Sequence, residues 1–410
     1  MDIVQLAHHL LSNQYTENGG AQVIKVIRNG TVFAPEPMGE LDILVVGERF
    51  GAVDAALRPP LADGLSLEVI EARGKYVFPG LIDGHVHITG GGGEGGFRTR
   101  TPEITLSGLV LGGITTVIGC LGTDSVTRSL ESLYAKAKGL TEEGVSAYIL
   151  TGSYQVPIVT LTGDPMRDLM LIDLVVGAGE IALGDHRSAQ PGLEDVRRLA
   201  AAVRVGGILS GKAGVVNVHL GDGEGGLAML EEIVATTELP YSQFLPTHVN
   251  RNEHLFVQAM DYALRGGRID LTAGPQDPTN LLRAARGLKR CLEHGVPPDR
   301  ITFTSDGQGS LPVYNDRKEF VRQGVGQVSS LFQEVREAVL KEGVDLETAL
   351  RVVTRNPAEI YGLKTKGRIR ASFDADLVLV DKETFTLDTV IAKGSTLMLD
   401  KKLKVAGTFE

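Results

Sequence analysis

Three features of the chain predict an α/β fold, a (β/α)8 TIM barrel with a small β-sandwich domain formed by both chain ends. Short β-branched runs alternate with helical stretches between Pro79 and about Tyr361, strand-like runs occupy both ends, and polar residues collect where the central runs stop. The expected boundaries are residues 1–79 for the first part of the small domain, 80–360 for the barrel and 361–410 for the second part.

At the N-terminal end, "VIKVIRNGTVF" and "LDILVVGERFGAV" alternate in polarity and are punctuated by Asn-Gly and Gly, as β-hairpins are. The stretch "ADLVLVDKETFTLDTVIAKGSTLMLDKKLKVAG" near the other end reads the same way, so the two ends are expected to pair. The first 20 residues read as a short helix or a loose arm. In the middle, "LIDGHVHI", "TTVIGC", "SAYILTGSY", "EIALGD", "VVNVHLGD", "FLPTHV", "RIDLTA" and "ITFTSD" make eight runs, the number that closes a barrel. Between them, stretches such as "EDVRRLAAAVRVG" and "EHLFVQAMDYALRGG" repeat apolar residues at helical spacing.

The chain has 410 residues and a formal net charge of −10. A basic groove for nucleic acid or an anionic membrane is therefore not expected, and small-molecule chemistry is. Only two cysteines, Cys120 and Cys291, are present, which is no disulfide framework and fits a reducing compartment. With no basic leader and no long apolar run, the expected location is cytoplasmic.

His85 and His87 lie two residues apart at the end of the first run, so an extended backbone turns both imidazoles to one face with Cα atoms about 7 Å apart. Two ordinary strand-end histidines would look the same, and the rest of the set has to decide. His219 ends the fifth run, His248 the sixth and Asp306 the eighth, and barrel chemistry sits at those ends. Imidazole and carboxylate donors there suit zinc or a similar divalent ion with a position left open for water. His8, His9, His254 and His294 read as ordinary residues, and His186 is not expected to be a ligand.

"PGLIDGHVH", the strand-end histidines, "TSDG", "TRNPA" and "GRIRASFDADLVLVD" resemble the amidohydrolase superfamily. Within it, "HITGGGGEGG", "TRTPE", "GTDS", "LTGSYQVP", "GDHRSA", "LPTHVNRN" and "SDGQGS" resemble the isoaspartyl dipeptidases, from about Asn29 to the terminal "AGTFE". The resemblance implies hydrolysis of β-aspartyl dipeptides by a metal-bound hydroxide at a centre of two divalent ions, zinc by type. His85 and His87 would hold one ion and His219 and His248 the other. Asp306 would bind metal and serve as general base and then acid, with Tyr154 polarising the carbonyl.

Glu94 would receive the substrate ammonium, and Arg187, Arg251 and Ser310 its carboxylates. Thr123 and the turn Gly90–Gly93 would line the pocket, the bare glycine backbone approaching the substrate closely. Where the family pattern has a carbamylated lysine bridging the ions, this chain has Glu180, whose shorter carboxylate is expected to bridge unmodified. Lys212 precedes the fifth run and should lie at the opposite end. The resemblance also implies a homo-oligomer, an octamer being one such assembly. A hydantoinase- or dihydroorotase-like cyclic amidase and a non-catalytic assembly protein of the same fold are the alternatives.

Overall fold

The computed structural model describes residues 23–58, 66–274, 282–315, 317 and 319–410. The expected N-terminal helix or arm, with His8 and His9, lies outside the described residues.

The eight central runs form eight parallel strands. The first six, Leu81–Val86, Ile114–Gly119, Ser146–Thr151, Val175–Leu183, Val215–Leu220 and Phe244–Thr247, make one sheet in chain order. The last two, Ile269–Thr272 and Ile301–Thr304, pair with each other. That pair meets both edges of the larger sheet: Val249 N donates to Asp270 O at 3.3 Å, and His87 N donates to Gly307 O at 2.9 Å. This arrangement is consistent with the expected barrel. All of these strand residues are buried except the half-buried Tyr148, which is why parallel strands read as apolar runs without alternation.

The intervening helices start and stop on local chemistry. Asn252 caps Glu253–Leu264 by accepting from Leu255 N at 2.9 Å, and Asp195 accepts from Gly192 N at 2.9 Å at the head of Leu193–Ser210. The latter helix ends where Gly211 takes φ 68°, a left-handed turn that glycine adopts without strain. Inside the ring of strands, Ile82, Ile118, Leu150, Val176, Val215 and Leu245 pack together with Tyr361, whose hydroxyl donates to Gly84 O at 2.9 Å.

Strands from both ends join one nine-stranded sheet, as their shared alternation implies. Lys75–Pro79 is its seam, parallel to Val23–Phe33 and antiparallel to Leu377–Asp381. The pairing defines this single sheet, and no second facing sheet is defined among the described residues. Lys366 fastens the sheet to the barrel. Its buried ammonium lies 2.6 Å from Asp376, 2.8 Å from Asp374 and 2.6 Å from the Ser146 hydroxyl at the head of the third barrel strand. Burial lowers the affinity of that amine for its proton, but the two carboxylates outweigh it and raise the pKa. Removing the ammonium leaves two carboxylates facing each other out of water. Lys366→Met is therefore expected to cost about 3–5 kcal/mol, read as a lower denaturant midpoint.

Candidate active site

The site begins at the first strand. Asp83 is wholly buried there and accepts from Ser305 N at 3.1 Å and from the Ser305 hydroxyl, which ties the first strand to the end of the eighth. Burial pushes its carboxyl up to about 7, against the pull of Ser305. This tie sets His85 and His87 beside Asp306, whose Oδ1 is 3.2 Å from His87 Nε2 and 3.9 Å from His85 Nε2.

Glu180 enters from the fourth strand into the middle of four imidazoles. Its Oε1 is 3.3 Å from His87 Nε2, and its Oε2 is 3.4 Å from His85 Nε2, 3.2 Å from His219 Nδ1 and 3.5 Å from His248 Nε2. The structure thus brings together all six residues expected around a metal. Burial alone would raise the Glu180 pKa, yet the imidazoles outweigh it and hold the carboxyl well below the usual range. The same contest lowers Asp306, with His87 opposing burial. His248 is driven by burial to about 3, which leaves its ring neutral, the form that binds metal.

Five polar atoms here are buried without a hydrogen-bond partner: His85 Nδ1 and Nε2, His87 Nδ1, Glu180 Oε2 and Asp306 Oδ1. Buried polar atoms in native proteins are nearly always satisfied, so a cluster of unpartnered donors-to-metal fits a cation site. Two groups of ligand atoms each lie within 4.8 Å of one another: His85, His87, Cys120 and Glu180, and Glu180, His219 and His248. Asp306 belongs to neither group and stands beside the first. Cys120 escaped the sequence reading, which weighed it only for disulfides; its place at the end of the second run was the available signal.

Neighbouring groups fix the imidazole orientations. Thr272 Oγ1 lies 2.7 Å from His248 Nδ1. Asp185 Oδ2 lies 3.0 Å from His219 Nε2, an acceptor that turns the Nδ1 lone pair toward Glu180. Asp185 was also missed, although it closes the fourth run "EIALGD", because only folding brings it to His219. Its Oδ2 is 2.7 Å from Arg187 Nη2 as well. Burial opposes ionisation of Asp185, but His219 and Arg187 outweigh it and hold the carboxyl far below its usual range. Tyr154 OH is 2.9 Å from His219 Nδ1, and burial raises the phenol well above its ordinary pKa, keeping it a proton donor.

A cavity of about 1150 Å³ opens over this centre, lined by His87, Glu180, Tyr154, Arg187, Arg251 and Ser310 among others. Glu94 Oε1 accepts from Ser310 Oγ at 2.8 Å, Arg187 Nη1 at 3.2 Å and Thr123 Oγ1 at 3.3 Å. Glu94 and Asp185 therefore already neutralise Arg187. Arg251 donates through Nε to Leu220 O at 2.9 Å and has no carboxylate within 4.0 Å among the described residues.

Gly91 and Gly92 line the cavity as expected, but the close approach that demands glycine is to the chain itself. A Cβ on Gly90 would sit 2.3 Å from Thr101 O, and one on Gly92 2.6 Å from Thr99 O. Lys212 binds the carbonyls of Leu169 and Ile172 at 2.7 and 2.6 Å and takes no part in the site. His186 packs edge-on against Tyr314, with ring centroids 4.8 Å apart.

Eight parallel strands with histidine and carboxylate donors at their ends define a metal-dependent hydrolase class, and the family-level comparison agrees: the amidohydrolase family matches residues 76–397. The chain belongs to the amidohydrolase family. Within that family it is similar to the β-aspartyl dipeptidase of the thermophilic, keratin-degrading Fervidobacterium islandicum AW-1, solved in complex with β-Asp-Leu dipeptide. The two share 46% identity and a TM-score of 0.87 over 93% of this chain and 99% of that one.

The expected resemblance is thereby borne out, and the chain is a hydrolytic enzyme. A D-hydantoinase of Streptomyces coelicolor is 24% identical over 87% of this chain and 85% of its own length. A solved D-hydantoinase, 19% identical with a TM-score of 0.66 over 94% of this chain and 97% of its own, shares the fold. No helix among the described residues is long and apolar enough to cross a membrane.

Proposed function

We propose that this enzyme is a dipeptidase that hydrolyses the amide of β-aspartyl dipeptides at a binuclear centre. One observation carries the reading: His87, Glu180, His219 and Asp306 line the same cavity as Thr123, Arg187 and Ser310, the three residues that hydrogen-bond Glu94. The similarity to a β-aspartyl dipeptidase solved with β-Asp-Leu supports it. His85 and His87 would hold one ion, His219 and His248 the other, and Glu180 would lie between them. Zinc suits these nitrogen and oxygen donors, and when bound such ions lower the pKa of coordinated water to about 7 and polarise a carbonyl.

The remaining work falls to side chains. Asp306, ionised and beside His87, takes the proton of the attacking water and returns it to the leaving amine. Tyr154 donates its phenol hydrogen to the carbonyl oxygen as negative charge develops there. Glu94, whose Oε2 is buried without a partner, receives the substrate ammonium. Arg251 holds a carboxylate with a guanidinium that no carboxylate of the described residues occupies, and Arg187 and Ser310 hold the other while steadying Glu94. The reading extends to a homo-oligomer in a reducing compartment, which two free, buried thiols support.

Metal-replete enzyme is expected to cleave β-Asp-Leu and to leave α-Asp-Leu, hydantoin and dihydroorotate intact, measured by release of free leucine or ring opening. Cleavage of α-Asp-Leu alone, or of a cyclic amide in preference, removes the assignment. Absence of turnover on all four substrates removes it as well.

A further inference from the structure

We propose that Cys120 is a metal ligand, so that the two ions of the centre are unequal: one held by His85, His87, Cys120 and Glu180, the other by Glu180, His219 and His248. The inference rests on the binuclear reading above and adds a residue to it.

Cys120 follows the second barrel strand and is wholly buried. Its backbone N donates to Val86 O at 3.0 Å, which places it level with the residue between the two histidines of the first strand. Packing beside Ile82, Ile118 and Leu150 accounts for its burial. Packing does not account for the other side of the thiol. There, one ligand atom each of His85, His87 and Glu180 gathers with Sγ inside 4.8 Å, and both His85 nitrogens, His87 Nδ1 and Glu180 Oε2 are buried without a hydrogen-bond partner. Sγ itself makes a 3.8 Å contact to Val86 O.

Two imidazoles, a carboxylate and a sulfur complete the four-donor set of a closed zinc site, whereas three protein donors leave a position open. The open group is the one beside Tyr154, 2.9 Å from His219 Nδ1. Substrate would thus be handled at the second ion, while the first anchors Glu180 and leaves Asp306 free as the base. Sulfur also biases the closed site toward zinc, cobalt and cadmium over magnesium or manganese.

The test is the absorption spectrum of the full-length protein loaded with two equivalents of cobalt(II). A sulfur-to-cobalt charge-transfer band in the near ultraviolet is expected in the wild type and in Cys291→Ser, and its loss in Cys120→Ser and Cys120→Ala. Chelator competition should show one cobalt bound roughly tenfold or more weakly in Cys120→Ser and the other unchanged. Should the variants fail to fold, the wild-type band and the shift of a cadmium-113 resonance into the sulfur-ligated range decide the matter on unaltered protein.

A cobalt-loaded wild type without the band, a band that survives in Cys120→Ser, or no cobalt uptake at all would each overturn the proposal. β-Asp-Leu turnover in the same samples is scored separately. Turnover without the band removes Cys120 as a ligand and keeps the proposed function; the band without turnover does the reverse.

Discussion

Glu180→Ala is expected to release at least one of two ions per chain and to lower β-Asp-Leu turnover by roughly 10³-fold or more, beyond the effect of losing a single transition-state donor. Among the described residues, Glu180 is the one carboxylate that stands within 3.5 Å of all four imidazoles. It also belongs to both groups of ligand atoms, so its loss leaves the second with only His219 and His248. The charge matters as much as the contacts, because two cations held side by side by neutral imidazoles need an anion between them. Glu180→Gln, which keeps the shape, should therefore resemble alanine. Elemental analysis gives the ion count and steady-state kinetics the rate. One ion per chain in the wild type, with the count unchanged in Glu180→Ala, would refute a bridging carboxylate.

Tyr154→Phe is expected to lower kcat by about 10²–10³-fold, equivalent to roughly 3–4 kcal/mol, with KM little changed. The phenol is buried and protonated and adjoins His219, where it can serve a developing oxyanion without first being desolvated. The same hydroxyl also touches a ligand, so metal content has to be read alongside the rate. A normal ion count with a large fall in kcat supports the oxyanion role. An unchanged kcat ends it, and a fall that tracks metal loss reassigns Tyr154 to holding His219.

The strands were legible because barrel strands, buried on both faces, must be apolar throughout, and all eight runs stand as parallel strands. Glu180 was legible only through the resemblance, as the residue standing where the family pattern has a lysine, although it lies in the buried strand "VVGAGEIAL". Asp185 and Cys120 were not. Each acquires its meaning only from a residue on another strand, His219 for one and the His85–His87 pair for the other.

The hairpin of Ser310–Tyr314 and Phe320–Val325, which walls one side of the cavity, went unforeseen. Its residues are half-buried or exposed, so no face of it carries a continuous apolar pattern. Arg187 was readable as a binder of carboxylates, but not that two of those carboxylates are the protein's own.

Asp83 and Ser305 clasp each other across 222 positions of sequence. A growing polypeptide can emerge from the ribosome with every one of the site's histidines and still lack the hydrolytic centre, because the wall stays unfinished until the eighth strand arrives to meet the first. Contacts so distant along the chain form late and slowly. The hydrolytic centre is thus completed by a contact between the first and eighth strands and by no single local segment.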